Sequence, residues 1–122
     1  MNEERAQSYN PDSSFAGVSL RIPPHNKEAE MSVLGSLMLD TQAPLKIIDI
    51  LSEHDFYYEN HRLIYRVVLD LFEKREPVDV VSVSSRLKEK GILEQVGGMS
   101  YIAHLVNSVP STAGIVHYAE IV

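Results

Sequence analysis

The densest cluster of potentially reactive side chains in the sequence is His54, Asp55, Glu59 and His61. Two imidazoles and two carboxylates this close together form a donor set for zinc or another divalent ion. The competing reading is the polar side of a turn between two helices, with Asp55 as a capping residue, and the local pattern favours it. Glu28 and Glu30 are two positions apart, so on a helix they do not share a face and make a poor acid–base couple. Ser100 and Ser111 have no recognisable base and orienting group, so no nucleophile is assigned. Tyr57, Tyr58, Tyr65, Tyr101 and Tyr118 are spread over several helices and read as core or interface rather than as a base-stacking platform. The sequence contains no G-x-x-x-x-G-K-[ST] loop, no G-x-G-x-x-G and no His-Glu-x-x-His. Nothing in it is therefore built to cradle ATP phosphates or hold a catalytic zinc. A non-catalytic binding or assembly module, with no cofactor of its own, is the expectation.

Charge points the same way. The 122 residues carry 11 Lys and Arg against 17 Asp and Glu, a formal −6. Residues 28–60 hold most of the negative excess, and residues 61–91 are weakly basic. The one basic cluster is Arg86, Lys88 and Lys90, too small for the basic stripe that gripping a duplex requires. A protein partner is the better expectation. There are no cysteines, so disulfides and thiolate zinc sites are excluded and a cytosolic setting is suited. No apolar run reaches the length of a membrane span, and the polar stretch Met1–Asn10 predicts no secretory signal.

The elements that must position these residues read as helices. Residues 1–21 form a polar, aperiodic tail expected to be flexible, and Pro23–Pro24 sets an extended entry. Asn26 is a plausible N-cap for a helix over 27–39. Met31, Leu34, Leu37 and Met38 form its wide apolar face, and Gly35 invites close approach by another helix. Thr41 is expected to cap a second helix with Pro44 in its first turn, running to about residue 51 through Leu45, Ile48 and Leu51. Asn60 is expected to cap the clearest amphipathic run, Ile64, Val67, Val68, Leu71 and Phe72.

The β-branched stretch Val78–Val83 fits a strand. However, Asp79 is a good N-cap, Val80, Val83 and Leu87 share a helical face, and Gly91 suits the position after a helix. A lone strand would also leave its backbone unpaired, so helix is predicted. Met99, Ile102, Leu105 and Val106 mark a helix to about Ser108. Ile115, Tyr118, Ala119 and Val122 mark a last one, capped by Ser111 or Thr112. The predicted fold is all-α, a compact bundle of about six short helices, with a globular head and a C-terminal α-hairpin. The apolar period still runs at Val122, so the hairpin is expected to be truncated within its last helix. Its free apolar side would suit a symmetric partner.

In order and spacing, the sequence resembles the N-terminal domain of the bacterial replicative DNA helicase, the DnaB family. The residues that carry the resemblance begin with Arg21-Ile22-Pro23-Pro24-His25-Asn26, Glu28-Ala29-Glu30, Ser32-Val33-Leu34-Gly35 and Met38-Leu39-Asp40. They continue through Asp55-Phe56-Tyr57, His61, Ile64, Pro77-Val78-Asp79, Leu87 and Gly91. Gly97-Gly98, Tyr101, Pro110-Ser111, Tyr118-Ala119 and Ile121-Val122 complete the set. The resemblance implies a collar domain at 22–122 of a hexameric ring, a trimer of dimers, that unwinds DNA 5′→3′ in the bacterial cytoplasm. It also implies a RecA-like motor domain using ATP and magnesium, DNA passing through the ring, primase as partner and a helicase loader. The hairpin residues Met99, Ile102, Leu105, Val106, Ile115, Tyr118, Ala119 and Val122 then become the expected oligomer interface, and Tyr101 an expected primase or partner contact. Gly97 and Gly98 read either as a hinge or, more simply, as a tight turn.

Two alternatives compete with that assignment. In one, helices near 80–90 and 99–108 form a helix-turn-helix-like DNA-binding module, with Arg86, Lys88 and Lys90 on phosphate. Its connection is longer than the usual 3–4 residues. In the other, the domain is a purely structural spacer of the ring.

Overall fold

A computed structural model describes residues 26–122. The expected flexible tail 1–21 and the extended entry at Pro23–Pro24 lie outside the described residues. Helices α1 (Lys27–Leu39), α2 (Ala43–Ile47) and α3 (Glu59–Glu73) are followed by α4 (Val80–Glu89), α5 (Leu93–Val96), α6 (Gly98–Asn107) and α7 (Ile115–Ile121). Single 3-10 turns at Glu53–Asp55 and Thr112–Gly114 join them, and no strand occurs among the described residues.

The chain starts α1 with an extended Asn26 whose Oδ1 accepts the Ala29 N–H at 2.9 Å. From Ala29 through Met38 every residue is buried. A helix without a solvent face has to be the centre of the bundle, and α3, α6 and α7 cover it. Gly35 is where α6 comes closest. A Cβ there would overlap the Leu105 carbonyl oxygen and Val109 Cγ2, so only glycine permits this approach.

Helix α3 turns Ile64, Tyr65, Val67, Val68 and Leu71 inward, the amphipathic stripe read from the sequence. It ends before Pro77. Arg75 takes a left-handed conformation (φ 59), and the Glu76 N–H bonds back to the Leu71 carbonyl at 2.9 Å. Asp79 caps α4 through the Ser82 N–H at 2.8 Å. Gly91 (φ 72) closes that helix, with Ile92 N–H on the Leu87 carbonyl at 3.0 Å. These are the six-to-one bonds of a Schellman ending. The Val78–Val83 stretch is thus helical from Val80 onward.

Three expectations are corrected. Asn60 does not cap α3, which begins after Tyr58 with no side-chain cap. Asn60 instead donates to the Val96 carbonyl at 3.2 Å, and the N–H groups of Tyr57 and Tyr58 are served by Glu30. Thr41 does not cap α2, whose N-cap position is Gln42. That helix stops at Ile47, short of Leu51, whose carbonyl is drawn into a 2.8 Å bond from the Tyr65 hydroxyl. The two helices of the expected hairpin, α6 and α7, each also pack on α1, the largely apolar core helix that they cover.

Candidate assembly surface and the buried relay behind it

That packing divides the residues expected at an oligomer interface. Ile102, Leu105, Ile115 and Ala119 are buried in this chain's own core and offer nothing to a partner. Met99 is 50% exposed, and Val106, Tyr118 and Val122 are partly exposed. Val116 and Ile121, which were not in the expected interface set, are exposed apolar side chains of α7. A groove of about 710 Å³ runs between the first turns of α1 and the α6–α7 segment, with Lys27, Glu28, His104, Tyr118 and Ile121 among its walls. The Lys27 ammonium lies 5.3 Å over the Tyr58 ring.

Behind this surface lies a buried polar relay that the sequence reading missed. Glu30 is 1% exposed. Its carboxylate takes the Tyr57 N–H at 2.8 Å and contacts His61 Nδ1 at 2.7 Å. His61 is fully buried, and its Nε2 contacts the Tyr101 hydroxyl at 2.6 Å. A carboxylate accepts and cannot donate, so Nδ1 carries the imidazole proton and Nε2 accepts from the phenol. Burial pushes the His61 pKa below its ordinary 6.5, against the opposing bond and charge of Glu30, with Lys27 adding to the fall. The imidazole is therefore neutral at pH 7. Burial likewise raises the Tyr101 phenol, with Asn60 pulling the other way.

The order carboxylate, imidazole, hydroxyl is that of an acid–base triad. Here the hydroxyl is a phenol of raised pKa already committed to His61, so the arrangement is a strut between α1, α3 and α6. Tyr101 is fixed further by Gly97 (φ 122), where a Cβ would stand 2.7 Å from Tyr101 Cβ. Gly97 is thus a tight turn that makes room for this ring. The ring's remaining surface faces outward, 6.1 Å from the His104 ring. The signal available for Glu30 was an acid placed inside a helix apolar on every side.

The other candidates disperse. His54 is exposed, Asp55 accepts the Ser52 N–H at 2.8 Å as a capping residue, and both His61 nitrogens are in use. No group of three potential ligands converges among the described residues. Arg86 is held by Asp70, by Glu76 at 2.5 Å and by Glu89 at 3.4 Å, so it is not free for phosphate. Lys88 and Lys90 are exposed. Helix α5 intervenes between α4 and α6, unlike the short turn of a helix-turn-helix. No helix among the described residues is long and apolar enough to cross a membrane.

Comparison with known proteins places this geometry. A family model, the DnaB-like helicase N terminal domain, matches residues 22–122. The replicative DNA helicase DnaC of Bacillus subtilis is 45% identical over 102 residues, covering 84% of this chain and 22% of that protein. The replicative DNA helicase DnaB of Haemophilus influenzae is 39% identical over 111 residues, 91% of this chain and 23% of that protein. The crystal structure of the N-terminal domain of DnaB helicase from Mycobacterium tuberculosis matches with a TM-score of 0.79 at 37% identity, over 81% of this chain and 72% of that one. The chain thus spans less than a quarter of the length of these two helicases.

Proposed function

The chain belongs to the DnaB-like helicase N-terminal domain family, and from that premise we propose that it is the assembly and primase-recruiting domain of a replicative DNA helicase. The observation that carries this reading is the match of the whole of 22–122 to an N-terminal domain, with the same fold in the Mycobacterium tuberculosis structure. The domain is non-catalytic, and the ATP- and magnesium-dependent motor that unwinds duplex DNA belongs to the larger remainder of the helicase. In the ring, copies of this domain associate through the outer side of α6–α7, where Met99, Val106, Val116, Tyr118, Ile121 and Val122 are exposed or partly so. Primase docks on the neighbouring surface around Tyr101, and a helicase loader engages the assembled ring. DNA contact is made by the ring as a whole, consistent with an Arg86 already neutralised by its own acids.

The test is calorimetry of this chain against the C-terminal domain of the cognate primase, with Tyr101→Ala alongside. Saturable binding that weakens in the variant is expected, and absence of binding to both this chain and the full-length helicase refutes the recruiting role. Light scattering on this chain and on forms extended past Val122 tests assembly. Greater mass in the extended forms is expected, and equal masses over a wide concentration range refute it.

A further inference from the structure

A second groove, about 550 Å³, lies between α4 and the α5–α6 corner and shares Met99 with the α6–α7 surface. Along α4 it is lined by Val81, Ser84, Ser85 and Lys88, the i, i+3, i+4, i+7 set of one helical face, and Leu93 and Met99 form the opposite wall. Val81 is 72% exposed and Met99 is half exposed, an apolar pair at one end left uncovered by the described residues. The middle of the α4 wall is small, serine only, which lets another backbone come close. Ser84 is 5% exposed, and its hydroxyl has no hydrogen-bond partner among the described residues. At the other end stands Lys88. Unlike Arg86, spent on Asp70, Glu76 and Glu89, Lys88 has no ion pair among the described residues. Glu94 on the facing wall likewise has no ion pair among the described residues.

We propose that this groove docks an amphipathic helix of a partner protein, with an apolar side chain between Val81 and Met99 and a carboxylate on Lys88. Val81 and Lys88 are seven residues apart, about 10 Å along α4. The incoming helix must therefore carry its apolar anchor and its acid about two turns apart, the spacing of a helix-in-groove contact. A basic residue opposite Glu94 and a polar group reaching the Ser84 hydroxyl complete the match. The charge pattern disfavours a nucleic acid, because Glu94 stands in the groove wall and Lys88 is the one cation lining it among the described residues.

The probe is a short synthetic helical peptide with Leu and Glu seven positions apart in an Ala/Gln background, and a twin with Lys in place of Glu. Amide NMR titration of this chain is expected to move the signals of residues 81–88, 93 and 99, with the Glu peptide favoured. Lys88→Glu should reverse the preference, and Val81→Asp should weaken both peptides about tenfold. Both positions are exposed, so circular dichroism should show each variant folded. Equal binding of the two peptides, shifts centred elsewhere, or no shift at millimolar peptide overturns the proposal. Duplex and single-stranded oligonucleotides serve as a third arm, and binding by them at this face refutes the protein-helix assignment. Because neither primase nor ring assembly enters the assay, its outcome is independent of the recruiting role.

Discussion

Replacing Glu30 by alanine strikes a place where this core depends on a chain of buried polar groups. The carboxylate serves two donors, the His61 Nδ1–H at 2.7 Å and the Tyr57 N–H at 2.8 Å. Tyr57 is at the surface, where water replaces the lost acceptor, so its share is small, about 0.5–1 kcal/mol. His61 is fully buried. Its Nδ1–H is left with nothing to accept it, and a bond to a charged acceptor in that setting contributes about 1.5–3 kcal/mol. Relief of the cost of burying the carboxylate itself offsets part of this. The expected loss is about 2–3 kcal/mol, a large share of the stability of a domain this size. Urea unfolding followed by circular dichroism measures it, with Tyr101→Phe as companion. The companion removes only the outer bond, at 2.6 Å, and is expected to cost about 1 kcal/mol. Because both losses act through the same imidazole, the double variant should depart from additivity by at least about 0.5 kcal/mol. A Glu30→Ala loss below about 1 kcal/mol, or strict additivity, would show that the three side chains do not act as a unit.

Three further outcomes follow from the same structure. The folded-state pKa of His61 lies below 6.5, so the unfolded chain binds the proton first. Its contribution to stability should be complete above about pH 6.5 and decline as the pH falls through that value; unfolding at stepped pH should show this slope, and His61→Gln should flatten it. Leu71→Ala, at a core position 2% exposed, should cost about 2–5 kcal/mol in denaturant melts, and a loss under about 1 kcal/mol would remove Leu71 from the core. Gly35→Ala should cost at least about 1–3 kcal/mol by thermal unfolding despite its better helix propensity, because the methyl meets the Leu105 backbone; a gain would mean that α6 is free to move away.

Features written in local sequence were legible. Asn26 and Asp79 each cap a helix through a bond three residues on, and Gly91 and the α3 stripe obey rules that need only neighbouring residues. Even the close approach at Gly35 was readable, since glycine inside an apolar helix has few other uses. The relay was not legible, because its members are 31 and 40 positions apart and become partners only once α1, α3 and α6 are packed. The interface set was only partly legible for a related reason. Periodicity identifies an apolar face but not what it meets, and the inner side of α6 and α7 meets α1. Arg86 shows the same limit for charge, since its cluster with Asp70 and Glu76 joins two helices.

The groove walled by Asn26, Lys27 and Ile121 puts the first turn of the first helix beside the last turn of the last one. Asn26 and Ile121 therefore stand as near neighbours, like two leads meeting at one socket. The α4–α5 edge, seated on α3 and α6, carries neither end, so a visitor there leaves both ends clear.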